Sequence, residues 1–167
     1  MPAPRFHIAL IEPEIPQNTG NIARTCAATG SALHLVRPFG FEITDRHLKR
    51  AGLDYWDKLD IFYYDGIDDF LRKNENRPLF LFTTKAPRCY TEVEYPNESI
   101  LVFGRETAGL PEWLLQKYPS SCVRIPMLGD IRSLNLSNSA AVAVYEALRQ
   151  QNFAGMNLQG SPRSFSF

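Results

Sequence analysis

Short apolar runs alternate with helix-patterned segments along this chain, and turn residues separate them. The runs are residues 6–11, ended by Glu12-Pro13; 33–36, stopped by Arg37-Pro38; 61–64; 79–83; 99–103, ended by Gly104; and 123–125. Between them, residues 18–29 read as a helix with Asn18 at the N-cap and Gly30 just past the C-terminus. Residues 45–51 form a short charged helix closed by Gly52, and 67–73 another. Pro111 stands where a first helical position is expected, opening a helix to about Tyr118. A final helix runs to Arg149 and is apolar on nearly every face from Ala140 to Val144, which predicts burial. Strands that are apolar on both faces and alternate with helices fit one main architecture. The fold class is α/β, a mostly parallel sheet with helices on both faces.

At 167 residues the chain is expected to be a single domain over 1–154, with a flexible tail over 155–167 rich in Gly, Ser and Asn. Lysine plus arginine equals aspartate plus glutamate at 18 each, so overall charge predicts no polyanion partner. Charge is uneven, however: Arg37, Arg46, Lys49 and Arg50 cluster against Glu42 and Asp45. Such a cluster reads either as a basic patch or as a solvated helix face. Cys26, Cys89 and Cys122 have neither C-x-x-C nor zinc spacing and read as reduced, partly buried side chains. No apolar run approaches the roughly 18 residues that span a bilayer. The start, Met-Pro-Ala-Pro-Arg, has no signal-peptide core, so a cytoplasmic location is expected.

Three loops that follow strands carry the unusual chemistry, as expected where open parallel sheets bind ligands. In the first, Asn18, Asn21 and Arg24 recur at a spacing that could share one side of a helix start. Capping explains Asn18 but not Arg24, because a cation near a helix start is unfavourable; an anionic ligand such as a phosphate would explain it better. The second loop, Phe103-Gly-Arg-Glu-Thr-Ala-Gly-Leu-Pro111, has the glycine spacing of a phosphate loop. Leu110-Pro111 stands where that loop needs Lys and Ser or Thr. Its glycines fit a tight bend against a ligand, with Glu106 at the centre. The third, residues 126–137, offers Ser133, Asn135 and Ser137 ahead of the last helix. No G-x-G-x-x-G follows the first strand, so a dinucleotide site is unsupported. No nucleophile–base pair and no metal-ligand spacing stands out, and His7, His34 and His47 lie away from the loops. These residues alone give a metal-free, three-loop site and do not name a reaction.

In order and spacing, Asn18-Thr-Gly-Asn-Ile-Ala-Arg24, Leu101-Val-Phe-Gly-Arg-Glu-Thr-Ala-Gly-Leu-Pro111 and the stretch 125–146 resemble the three signature motifs of the SPOUT, or trefoil-knot, RNA methyltransferases. The resemblance spans about residues 6–153. The start Glu12-Pro-Glu-Ile-Pro-Gln-Asn-Thr-Gly-Asn21 and Arg50-Ala-Gly-Leu-Asp-Tyr55 are closest to the group acting on the 2′-hydroxyl of cytidine or uridine 34 of tRNA. The resemblance implies a C-terminal deep trefoil knot and an obligate homodimer. It implies S-adenosyl-L-methionine as cofactor, leaving as S-adenosyl-L-homocysteine, held at Phe82, Thr83, Gly104, Ile125, Met127, Ser133 and Leu134. Asn18, Arg24, Glu106, Ser133 and Asn135 take the family's catalytic positions, and no metal is implied. Arg24, Lys49, Arg50 and Tyr145 are expected to meet RNA, the tRNA anticodon stem-loop being the partner, with no membrane role. A guanidinium is a poor base near neutral pH, so Arg24 is better suited to holding a phosphate and a developing alkoxide. The alternatives are methylation of another RNA, such as ribosomal RNA, and an RNA-binding relative without catalysis.

Overall fold

The computed structural model describes residues 2–42 and 56–167. Six strands form one sheet: β1 His7–Ile11, β2 Ala32–Val36, β3 Ile61–Tyr64, β4 Leu79–Phe82, β5 Ile100–Phe103 and β6 Cys122–Val123. Their order is β3-β2-β1-β5-β4-β6, and every neighbouring pair is parallel. The described helices are α1 Pro16–Thr29, α2 Ile67–Lys73, α3 Glu112–Lys117 and α4 Leu136–Gln150. The predicted helix over 45–51 lies outside the described residues, as does His47.

Register partners in a parallel pair share a face, which divides the core in two. Ile8, Leu10, Leu33, Leu35, Leu101, Phe103 and Val123 pack with Ile22, Ala23 and Cys26 of α1 and Ala140, Ala143, Val144 and Ala147 of α4. On the other face Ala9, Ile11, Val36, Ile100 and Val102 pack with Phe70 and Leu71 of α2 and Leu114 of α3. Both faces of the central strands are therefore covered, as their unbroken apolar runs require. The edge strand β3 is the exception, with Phe62 and Tyr63 both about two-fifths exposed.

The second face also carries a buried polar chain. Arg77 donates to Asn74 Oδ1 (2.9 Å), and Asn74 Nδ2 to the Tyr64 hydroxyl (3.1 Å). Tyr64 lies 2.6 Å from His34 Nδ1, His34 Nε2 lies 2.8 Å from His7 Nδ1, and His7 Nε2 lies 2.9 Å from Glu98. One direction of donation satisfies every link when both histidines are neutral: Tyr64 to His34, His34 to His7, His7 to Glu98. Burial lowers both histidine pKa values, His34 to about 3, so the His7–Glu98 contact is a hydrogen bond rather than an ion pair.

Several boundaries differ from the sequence reading. Helix α1 begins at Pro16, whose missing N–H costs nothing there, so Asn18 lies inside the first turn and Ile15 takes the N-cap. Gly30 does end α1 in the left-handed region, at φ 69°. Pro111 precedes α3 as its N-cap, and Ile125 lies beyond β6. Helix α4 is not apolar and buried all round: Ala140, Ala143, Val144 and Ala147 repeat at helical spacing on the covered side, while Val142 and Tyr145 are 40% and 42% exposed. In the segment after Gly155, Met156 packs against the core cluster. Cys26 is a free, buried thiol, pushed up to about 12 by desolvation; Cys122 is raised for the same reason.

Candidate functional site

Parallel strands put all their carboxyl ends on one edge of the sheet, and the three loops meet there. The loop after β1 reaches α1 through an N-cap, Ile15, with no side chain able to accept a hydrogen bond. The second loop supplies the acceptor. Glu106 takes the backbone N–H groups of Glu14 (2.9 Å) and Ile15 (3.1 Å) and the Asn18 side-chain amide (3.3 Å). A carboxylate at the positive end of a helix is also favoured by the dipole.

The second loop is itself closed by an antiparallel bridge, Arg105 N–H to Gly109 O at 3.2 Å and Gly109 N–H to Arg105 O at 2.8 Å. A Cβ on Gly104 would stand 2.0 Å from the carbonyl carbon of Gly109, and Gly109 itself has φ +66°. The glycines therefore serve the loop's own closure, since a side chain at 104 would collide with the backbone of Gly109. Thr107 donates to the Glu14 carboxylate at 2.8 Å, and Arg105 lies 3.5 Å from Glu12, which itself holds φ +52°. Those contacts join the first two loops side by side.

The third loop is tied in by Asn135. Its Oδ1 caps α4, accepting from the N–H groups of Ser137 (2.9 Å) and Asn138 (3.2 Å) and the Ser137 hydroxyl (2.6 Å). Its Nδ2 donates to Asn18 Oδ1 at 3.1 Å. Asn18 thus bridges Glu106 and Asn135, giving both halves of its amide to partners on different loops.

The three loops enclose a cleft of about 530 Å³, a usual size for a small-molecule site. Every residue expected at the cofactor lines it: Phe82, Thr83, Gly104, Ile125, Met127, Ser133 and Leu134. Asn18, Glu106 and Asn135 line it as well. The Phe82 and Phe103 rings stack at 4.8 Å beneath it. Residues not expected from sequence also line it, among them Thr84, Lys85 and Ser139. Lys85 is turned to Glu112 at 2.8 Å. Its place in the segment that follows β4 is the signal in the sequence for it.

Arg24 is placed differently from the sequence expectation. It lies exposed in the third turn of α1 and is not among the cleft's lining residues. Six residues of helix rotate through about 240°, so buried Asn18 and exposed Arg24 point in different directions. Since α1 starts at Pro16, the dipole argument for an anion at Arg24 also lapses. Tyr145 is on the exposed side of α4. Lys49 and Arg50 lie outside the described residues. Among the described residues no group of His, Cys, Asp and Glu could hold a metal ion, and no helix is long and apolar enough to cross a membrane.

The sequence profile of the SpoU rRNA methylase family matches residues 5–145, which takes in all three loops. The chain belongs to the SpoU methylase family. Among its relatives, a Listeria monocytogenes protein provisionally named a tRNA (cytidine(34)-2′-O)-methyltransferase is 55% identical over 153 residues, covering 90% of each chain. A Methylovorus glucosotrophus protein named tRNA (cytidine(34)-2′-O)-methyltransferase is 47% identical over 90% of this SpoU chain and 98% of its own. Among solved structures, one concerned with 2′-OH methylation of C/U34 on tRNA is 42% identical, with a TM-score of 0.85 over 91% of this chain and 99% of that one. An S-adenosylmethionine-bound rRNA methyltransferase from Sinorhizobium meliloti superposes at 0.78 with 26% identity, over 87% of this chain and 56% of that one. The parallel α/β architecture is that of the SpoU methylases.

Proposed function

We infer that this SpoU methylase transfers the methyl group of S-adenosyl-L-methionine to the ribose 2′-hydroxyl of nucleotide 34, a cytidine or uridine, in tRNA. The observation that carries the reading is the Glu106–Asn18–Asn135 bridge, which locks three family-motif loops around one cleft. Relatives near half identity, nearly as long as this chain, bear the tRNA name. Methylation of ribosomal RNA, which the family description mentions, is the second reading.

The cleft suits the cofactor. Phe82, Phe103, Ile125 and Leu134 offer apolar walls for a purine, and the Glu106 carboxylate lies near enough to favour a cation. The cofactor supplies a methyl group on a sulfonium, ready for displacement by an oxygen. The protein's part is alignment: Ser133, at the cleft's open side, orients the ribose hydroxyl, while Asn18 and Asn135 hold the loops at fixed spacing. With the cofactor bound, the ribose oxygen would take the methyl group, S-adenosyl-L-homocysteine would leave, and the hydroxyl proton would pass to solvent water. Arg24, outside the cleft of the single chain, binds the phosphate beside the reacting ribose and offsets the charge developing on the oxygen rather than removing that proton.

The reading includes a homodimer whose face takes in Val142 of α4 and Leu128 and Ile131 of the third loop, all exposed in the single chain. It includes the trefoil threading of the C-terminal segment, RNA contacts at Lys49, Arg50 and Tyr145, and action in the cytoplasm. Incubation with methyl-labelled cofactor and bulk tRNA or ribosomal RNA, followed by mapping of 2′-O-methyl groups, tests it. Label at nucleotide 34 is expected; label only in ribosomal RNA favours the second reading, and label in neither ends both. Arg24→Ala is expected to abolish transfer with cofactor affinity nearly unchanged in a titration; loss of both makes Arg24 structural.

A further inference from the structure

The carboxyl-end edge that holds the cleft continues past β1 to β2 and β3, where a cation and three aromatic rings gather outside the site described above. The Arg37 guanidinium lies 5.3 Å from the Tyr63 ring centre and 5.5 Å from that of Phe39. The Phe39 and Phe41 rings face one another at 6.3 Å and 23°. Phe39 rests on the core, which fixes the group, whereas Arg37 and Tyr63 are open to solvent, Tyr63 by 40%. Arg37 is 3.6 Å from Asp65, whose side chain is 93% exposed, so that pairing is weak and screened.

The cluster is braced to the loops of the cleft. Gly40, between the two phenylalanines, donates its N–H to Pro13 O at 3.0 Å, and a Cβ there would come within 3.0 Å of Glu14 Cα. Glu14 is the residue whose own N–H is taken by Glu106. One short path of backbone contact therefore sets the rings relative to the cleft. β2 is two strands from β5 in the sheet order, about 10 Å at the usual strand spacing. That is roughly three stacked-nucleotide steps of about 3.4 Å.

We propose that Arg37, Phe39, Phe41 and Tyr63 form a base-stacking subsite for the unpaired nucleotides that flank the methylated ribose. A single RNA strand presents π-faces and phosphates together, and partly exposed rings beside a guanidinium answer both. Stacking tolerates any base, so this subsite grips the loop of the substrate without reading its sequence. The proposal rests on the reading of the chain as an RNA 2′-O-methyltransferase.

The test is a binding cycle with anticodon stem-loop RNA, intact or carrying one abasic nucleotide beside position 34, against the wild type, Tyr63→Leu, Phe41→Leu and Tyr63→Phe. S-adenosylmethionine affinity is measured on each variant. Each leucine variant is expected to weaken binding of intact RNA about five- to 150-fold, the range for losing one base–aromatic stack, with cofactor affinity unchanged. Tyr63→Phe, which keeps the ring, is expected to bind as the wild type. At one flanking position the abasic RNA is expected to lose as much with the wild type and little more with the variant, as coupled partners do. Leucine variants that bind like the wild type, or whose losses multiply fully with every abasic substitution, overturn the subsite. Loss of cofactor binding in both leucine variants makes the rings structural and overturns it too. Methyl transfer by the wild type is read separately: transfer with unaffected variants removes the subsite alone, and a coupled cycle without transfer removes the activity alone.

Discussion

Glu106 gathers two backbone amides and one side-chain amide from another loop, which a glutamine in its place could not do. An amide offers one acceptor oxygen and turns a donor toward donors. Glu106→Gln is expected to lower stability by about 1.5–3 kcal/mol, the usual worth of charge-assisted hydrogen bonds, in urea denaturation. Methyl transfer should fall about a hundredfold, as for small misplacements of aligned groups. The paired histidines make a second residue-scale prediction. Burial first, and for His34 also the nearby His7, Arg77 and Arg5, hold His7 and His34 below the ordinary value of 6.5. The unfolded chain therefore binds protons that the folded chain refuses as pH drops below 6.5. Their stabilisation is complete above 6.5 and is lost progressively as pH falls toward about 3, the folded value for His34. Each histidine contributes up to about 1.4 kcal/mol per pH unit. Denaturation midpoints between pH 6.5 and 5, above the range where carboxylates titrate, should slope downward, and His34→Gln should flatten that slope.

Helix α4 and its cap show two jobs in one side chain. Asn135 Oδ1 caps the helix, while Nδ2 reaches Asn18 in another loop. Asn135→Asp keeps the capping oxygens and removes the donor, so thermal stability should stay near the wild type while transfer drops. Asn135→Ala loses both and should cost about 1 kcal/mol in stability as well; equal transfer by wild type and Asn135→Asp would mean the bridge is idle. At this scale the sequence was read well where local rules suffice. Gly30 ended α1, and alternating apolar runs located all six strands. It was read poorly where a distant residue took over a local duty. Asn18 looked like a cap because its side chain commonly is one, yet Glu106 of another loop satisfies that helix end. The bridge that Gly104 and Gly109 allow within their own loop is likewise a contact that their spacing does not announce.

Over the whole molecule, the two cores divide the helices between the sheet's faces, with α1 and α4 on one and α2 and α3 on the other. What remains exposed is uneven. Val142 and Tyr145 on the outer side of α4 are in the open, as are Leu128 and Ile131 of the third loop. Large apolar side chains left in the open suit an association site. In sedimentation equilibrium the protein is expected to be a dimer, and Val142→Asp, which puts a charge on the proposed face, should shift the equilibrium toward monomer by at least about tenfold. A wild type that stays monomeric at high concentration would remove the dimer from the functional reading.

The order of apolar runs and turn residues, by itself, determined a parallel α/β sheet, and the three motif loops determined the family. Both are written in local pattern: two-sided burial demands continuous apolar strands, and loop chemistry needs particular residue types at particular offsets. Tertiary structure alone decided which side chains meet. The Asn18–Glu106 contact spans 88 positions and the Asn18–Asn135 contact 117, so no periodicity could reveal them. The same holds for Arg24, present in the motif yet not among the residues that line the cleft of the single chain. Its direction is set by where α1 begins and which side of that helix the sheet covers.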